Sequence, residues 1–255
     1  MRALIAAFRL QLRVLRTDAS QIQTLAMVPL FTVIFVQIVR HAGREDLTGY
    51  AVLAPALIAV WALALQSSGE VIEEDRLQGT LELVVGSPTP FAYVVLARVL
   101  AVTLVSLVAF AEVWLVSWAV FGVVVDIHHP REFVLTILAT ALATAGTATI
   151  MASLFIVTRS PRTFQNSLSW PFYVVGGVLV PVAFLPDWLQ PLSTIVFLSW
   201  SADLLRASLA PESIDDVGVR LAMILLLGTC GFAIGFALLA RMLRQARRTA
   251  TLGLA

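Results

Sequence analysis

Residues 133–158 read FVLTILATALATAGTATIMASLFIVT, a run of 26 positions without a charge, closed by Glu132 on one side and Arg159 on the other. A charged side chain at the centre of a bilayer costs roughly 2.5 to 3.5 kcal/mol on insertion scales, so a charge-free run of this length reads as a membrane crossing. Within it Thr140, Thr144, Ala148 and Ala152 recur at every fourth position. Small residues at that spacing allow a second helix to approach closely, either inside one subunit or between two, and Gly231 and Gly235 repeat the pattern. Four further runs are long enough to cross, namely 19–39, 47–69, 163–186 and 221–240, with 21, 23, 24 and 20 residues, against the roughly 20 residues that a hydrocarbon core requires. A sixth lies over 93–125, interrupted by Arg98 and Glu112. Arg98 is near enough to one end to snorkel, which leaves Glu112 inside the membrane.

The predicted crossings are therefore 22–40, 49–69, 95–122, 133–157, 166–185 and 220–240. Composition agrees: of 255 residues 59% are hydrophobic and 13% charged, with a mean hydropathy of +0.91, which excludes an ordinary soluble enzyme. The fold class that follows is an all-α polytopic membrane protein with both termini on one side. All 17 basic residues are arginine. With the termini cytoplasmic, 12 arginines fall on inner segments and five on outer ones (Arg40, Arg44, Arg131, Arg206 and Arg220), the asymmetry that the positive-inside rule requires.

Ahead of the first crossing, Leu4, Ile5, Phe8, Leu12 and Leu15 alternate with Arg2, Arg9, Arg13 and Arg16 at helical spacing. Residues 1–18 are thus expected to form a retained interfacial helix, not a cleaved leader. After the last crossing, Arg241, Arg244, Arg247 and Arg248 suit contact with anionic lipid headgroups and give no reason to invoke nucleic acid. The lone Cys230 excludes an intrachain disulfide. His128 and His129, with Asp126, read as a solvated outer loop and not as a metal site, and His41 also falls outside the bilayer.

The segment after the second crossing breaks the charge pattern. Glu70, Glu73, Glu74, Asp75 and Glu82 face the single Arg76 on what should be a basic inner loop. This composition suits either a docking surface for a partner or the acid-rich first turns of a solvated helix. The run Glu74, Asp75, Arg76, Leu77, Gln78, Gly79, Thr80, Leu81, Glu82, Leu83, followed by Ser87, Pro88, Thr89 and Pro90, resembles the E-R-x-x-G-T-L-E-x-L … P segment of ABC-2 type transporter permeases. A second tract also resembles that family: Gly176, Gly177, Pro181, Phe184, Leu185, Pro186, Trp188 and Leu189, then Trp200, Asp203, Leu204, Leu205 and Arg206. Between Asp187 and Asp203 lie 15 charge-free residues broken by Pro191, too few to cross and suited to a re-entrant pair of short helices over 186–206.

The resemblance implies a type V exporter-like fold over 1–255, with 70–90 as a coupling segment that docks into a separate cytoplasmic ATPase. Glu74, Arg76, Gly79, Thr80, Leu81 and Glu82 are the residues it assigns to coupling. It further implies two copies of that ATPase, a second permease, identical or paralogous, and location in the inner membrane of a prokaryote. No Walker A motif can exist in a chain without lysine. ATP and Mg are accordingly expected in the partner, with no cofactor and no catalysis in this chain. Short outer loops resemble the drug and antibiotic efflux branch most, then lipid, polyketide or polysaccharide export.

Candidate pathway residues are Gln66, Glu112, Asn166, Trp170 and Tyr173, since an intramembrane acid is by default functional and the others are polar or amphipathic in apolar runs. Trp170 and Tyr173 also fit an interfacial belt, and Glu112 also fits a structural contact to Gln66 or Asn166. The hairpin residues Pro186, Trp188, Asp203 and Arg206 are expected to form an outer gate. The competing function is an ATP-independent secondary transporter or channel using Glu112.

Overall fold

The structure, a computed structural model, describes residues 19–44, 47–77, 79, 91–155 and 161–249. The expected interfacial helix at 1–18 and most of the coupling tract, residue 78 and residues 80–90, lie outside the described residues. Nine α-helices are described: α1 (Ala19–His41), α2 (Thr48–Leu77), α3 (Phe91–Ser106), α4 (Val108–Phe121), α5 (Pro130–Phe155), α6 (Pro161–Val175), α7 (Gln190–Ser193), α8 (Phe197–Ala207) and α9 (Val217–Thr249). Five stretches are long and apolar enough to span: Gln23–His41, Thr48–Gln66, Ala92–Phe121, Pro130–Phe155 and Val217–Met242.

The bundle is organised around α2. Its spanning window is 72% buried, against 22% for those of α1 and α9, and residues 51–57 are buried without interruption. A helix that is apolar on every side finds its place in the middle. Around it pack α1, α3, α4, α5, α6 and α8. The crossing expected over 95–122 is two helices in line, α3 and α4, with a single break at Leu107, whose N–H bonds Leu104 O at 3.3 Å.

The crossing expected over 166–185 differs more. Its helix ends at Val175. Gly177 takes φ +64, Val178 N–H bonds Tyr173 O and Gly177 N–H bonds Val174 O, which is the hydrogen-bond pattern of a Schellman stop. A Cβ at Gly177 would also meet Val182 Cγ2 at 2.8 Å, so glycine is required twice over. At 15 residues α6 is about 22 Å long, shorter than a hydrocarbon core. Its ends nevertheless match two levels of α2. Gln165 near its start bonds Leu65 O, while Gly177 beyond its end shares Arg206 with Tyr50.

Those contacts define two ends of the bundle. At the Gln66 end, Thr24 of α1 bonds Gln66, and Ala64, Val95, Ala152 and Leu239 form one apolar cluster. At the Tyr50 end, His128 and His129 bond Leu209 O and Glu212 O, tying the α4–α5 connection to the α8–α9 connection. The segment 186–206 has unequal legs. The first has a 3-10 turn at Val182–Phe184 before it and then only the four-residue α7, whereas the second is α8, whose Leu198, Ala202, Leu204 and Leu205 are fully buried against its neighbours.

Candidate functional site

Helices α1 and α6 both pack on α2 and scarcely touch each other. The space left between them is a cleft of about 590 Å³ floored by α2, within the ~300–1,000 Å³ usual for small-molecule sites. Large side chains hold it open. Phe31 and Phe35 of α1 line one wall and Trp170 and Tyr173 of α6 the other, with Trp170 edge-on to Tyr173 at 6.1 Å between centroids. Below the second wall, Phe172 stacks on Trp61 at 4.0 Å and 5° and fixes the rotation of α6 against α2.

The polar groups of the cleft gather at the Gln66 end. Thr24 Oγ1 donates to Gln66 Oε1 at 2.9 Å. Gln165 Nε2 donates to Leu65 O at 2.9 Å and to Gln66 O at 3.3 Å, and Ser169 Oγ donates to Gln165 O at 2.9 Å. Higher up, Tyr173 OH points to Ile58 O at 3.4 Å, a long and weak contact. None of the lining residues is charged.

Of the expected pathway residues, Gln66, Trp170 and Tyr173 line this cleft together. Sequence reasoning chose Asn166 and passed over Gln165, which lines the cleft and is 5% exposed. The two differ by about 100° of helix rotation. The stacking of α6 on α2 sets the rotation that turns Gln165 inward. Glu112 is elsewhere: it belongs to α4, does not line the cleft, and its buried Oε2 has no hydrogen-bond partner among the described residues. Its expected contact to Gln66 is absent among the described residues, where Gln66 Oε1 accepts the Thr24 hydroxyl.

The expected gate residues separate into distinct roles. Arg206 donates from one Nη to Gly177 O at 2.7 Å and Val178 O at 3.1 Å and lies 3.7 Å above the Tyr50 ring. It thus pins the broken end of α6 to α2 and α8, with a cation against helix-terminal carbonyls. Asp203 is exposed and pairs with Arg220 of α9 at 2.9 Å. Pro186 and Trp188 are exposed, Trp188 at 78%. Of the coupling residues, Glu74 and Arg76 belong to the last turn and a half of α2, and Gly79 takes φ +66; Thr80, Leu81 and Glu82 lie outside the described residues.

The sequence model of one protein family, described as ABC-2 type transporter, matches residues 4–210. No curated protein matches the chain.

Proposed function

The chain belongs to the ABC-2 type transporter family, and on that premise we propose that it is the permease subunit of an ATP-driven exporter moving an amphipathic or apolar substrate across a prokaryotic cytoplasmic membrane. The observation that carries the reading is the continuity of α2. One unbroken helix, Thr48–Leu77, runs from beneath Arg206 along the floor of the cleft and on toward the Gly79 turn. The 11 residues from Gln66 to Leu77 extend about 16 Å beyond the cleft. A push on residues 70–77 is therefore delivered along one helix to Gln66, Ala62 and Ile58.

In this reading the chain crosses six times, α6 being the short crossing, and the Gln66 end is cytoplasmic. Arg98, Arg241 and Arg244 belong to segments at that end, as the positive-inside rule favours. Two copies of a separate ATPase hold ATP and Mg, and a second permease, identical or paralogous, completes the pathway. Closure of the ATPase pair on ATP moves the coupling segment, α2 shifts against α1 and α6, and the cleft changes its access from the inner to the outer leaflet. Arg206 and the 186–206 segment close the outer side. Drug or antibiotic efflux fits the short outer connections best, with lipid, polyketide or polysaccharide export next.

The test is co-purification of the ATPase with the chain and ATP-dependent export in proteoliposomes, with Gly79→Val and Glu82→Gln introduced together. Valine is strained at φ +66, while no atom of the described residues lies within 4 Å of its Cβ. The expected result is ATP hydrolysis uncoupled from export in a complex that still assembles, and unchanged export would overturn the coupling assignment. A second reading, an ATP-independent transporter with Glu112 as its acid, draws support from the buried Oε2, which has no hydrogen-bond partner among the described residues. It requires gradient-driven transport without the ATPase that is lost in Glu112→Gln.

A further inference from the structure

Resting on the permease reading, we infer that the cleft between α1 and α6 selects neutral amphipathic molecules, seating an uncharged hydrogen-bonding head among Gln66, Gln165 and Ser169 and an apolar body along Phe31, Phe35 and Trp170.

Three observations carry this. First, the lining holds no ionisable side chain except the Tyr173 phenol, so a formally charged head entering it would leave water with no countercharge. Second, the amides of Gln66 and Gln165 and the hydroxyls of Thr24 and Ser169 are gathered at one end and are only partly used. Thr24 occupies Gln66 Oε1, but Gln66 Nε2 has no partner among the described residues. Gln165 Nε2 is committed to two carbonyls of α2, which fixes the amide plane and leaves Oε1 as an acceptor. One primary amide donor and one primary amide acceptor, held by neighbouring helices, match a head that both donates and accepts, such as an amide or a polyol. Third, the cleft is long and graded. Phe35 lies 11 residues beyond Thr24 on α1, about 16 Å along the axis, and from the polar end onward the walls are apolar or aromatic. The open side between α1 and α6 gives a ligand a lateral entrance, and it can keep its head at one level while its body slides in.

The experiment uses the full chain in phosphatidylcholine nanodiscs with three photoreactive probes of one skeleton: a diazirine-bearing dodecanamide, the matching carboxylate and the matching primary amine, all at neutral pH. Adducts are mapped by mass spectrometry to residues 27–35 and 169–173. The amide is expected to label these segments about tenfold more than either charged probe, a difference of about 1.4 kcal/mol in occupancy. Gln66→Glu keeps the size of the side chain and adds a carboxylate at the polar end, and it is expected to move the preference to the amine. A misfolded variant would lose all labelling and not exchange one preference for another. Equal labelling by all three probes, a lead for the carboxylate, or indifference to Gln66→Glu would overturn the inference while leaving the permease reading intact. Failure of the chain to associate with any ATPase would overturn the permease reading, and the ranking of the probes would be untouched by it.

Discussion

Along α5 and α9 the two backbones come so close that side chains have no room between them, whereas α1 and α6 are held apart by large side chains and leave a cleft. In the first seam a Cβ on Gly146 would lie 2.3 Å from Gly228 O, one on Gly228 2.7 Å from Ala143 Cα, and one on Gly235 2.9 Å from Ile150 N. The threonines of α5 do not reach across it. Thr136, Thr140, Thr144 and Thr149 turn their hydroxyls back to carbonyls one turn earlier on their own helix, at 2.6 to 2.8 Å. That seam is held by dispersion over closely fitted surfaces, since lipid gives helices no hydrophobic reason to associate. Around α6 the linkage is directional: Gln165 to two carbonyls, Arg206 to two more, and the Trp61–Phe172 stack. Close packing makes a scaffold that cannot yield, and a few directed contacts make a wall that can move.

The comparison can be broken most severely at Gly146. Gly146→Val must displace the backbone of α9, at about 3 kcal/mol or more; detergent-solubilised protein should lose its monodisperse peak in size-exclusion chromatography, and a well-folded variant would mean that the seam is looser than the contacts state. Next in size is Arg206→Ala, which strips the stop of α6 of its cation and leaves the Tyr50 ring uncovered. A loss of about 2 kcal/mol in thermal stability is expected, and Arg206→Lys should recover only part of it, because an ammonium cannot span both carbonyls while lying flat on a ring. Gln165→Leu should cost only about 0.6 to 1 kcal/mol, yet alter substrate-stimulated ATP hydrolysis out of proportion, since it changes the cleft and not the scaffold. A stability loss as large as that of Arg206→Ala, with normal stimulation, would make Gln165 a structural residue. Smallest is Asp203→Asn. The exposed pair with Arg220 should contribute less than about 1 kcal/mol and vanish in high salt, so a large effect would give this pair a role in the outer closure that its exposure does not suggest.

Much of this architecture was readable from charges and small residues. Runs without charge gave four of the five spanning stretches, because the penalty for a charge in a bilayer acts residue by residue and needs no knowledge of neighbours; the fifth, Ala92–Phe121, carries Arg98 and Glu112, and in the charge-free run 163–186 the 15-residue α6 ends at Val175. The small-residue spacing at Thr140, Thr144, Ala148 and Ala152 and at Gly231 and Gly235 was legible too. Whether it served the subunit or a dimer was not, and the structure assigns Gly231 and Gly235 to contacts with Gly146, Thr149 and Ile150 of the same chain. The candidate site was only half legible. Gln66, Trp170 and Tyr173 stood out as polar or amphipathic groups in apolar runs, but Gln165 and Asn166 are equivalent in a sequence, and the charge of Glu112 does not say that it belongs to α4 and not to the lining of this cleft.

What the sequence determined by itself is thus the membrane class, most of the long apolar stretches and the family. Each of these depends on local transfer free energies or on a contiguous motif. The tertiary structure alone decided three things: that α6 stops at Val175 beneath Arg206, that Gln165 turns toward α2, and that α1 and α6 part to leave a cleft. All three are matters of helix rotation and separation. These are set by which side chains meet across an interface, through contacts between residues as far apart as Gln66 and Gln165 or Tyr50 and Arg206, and no local free energy encodes them.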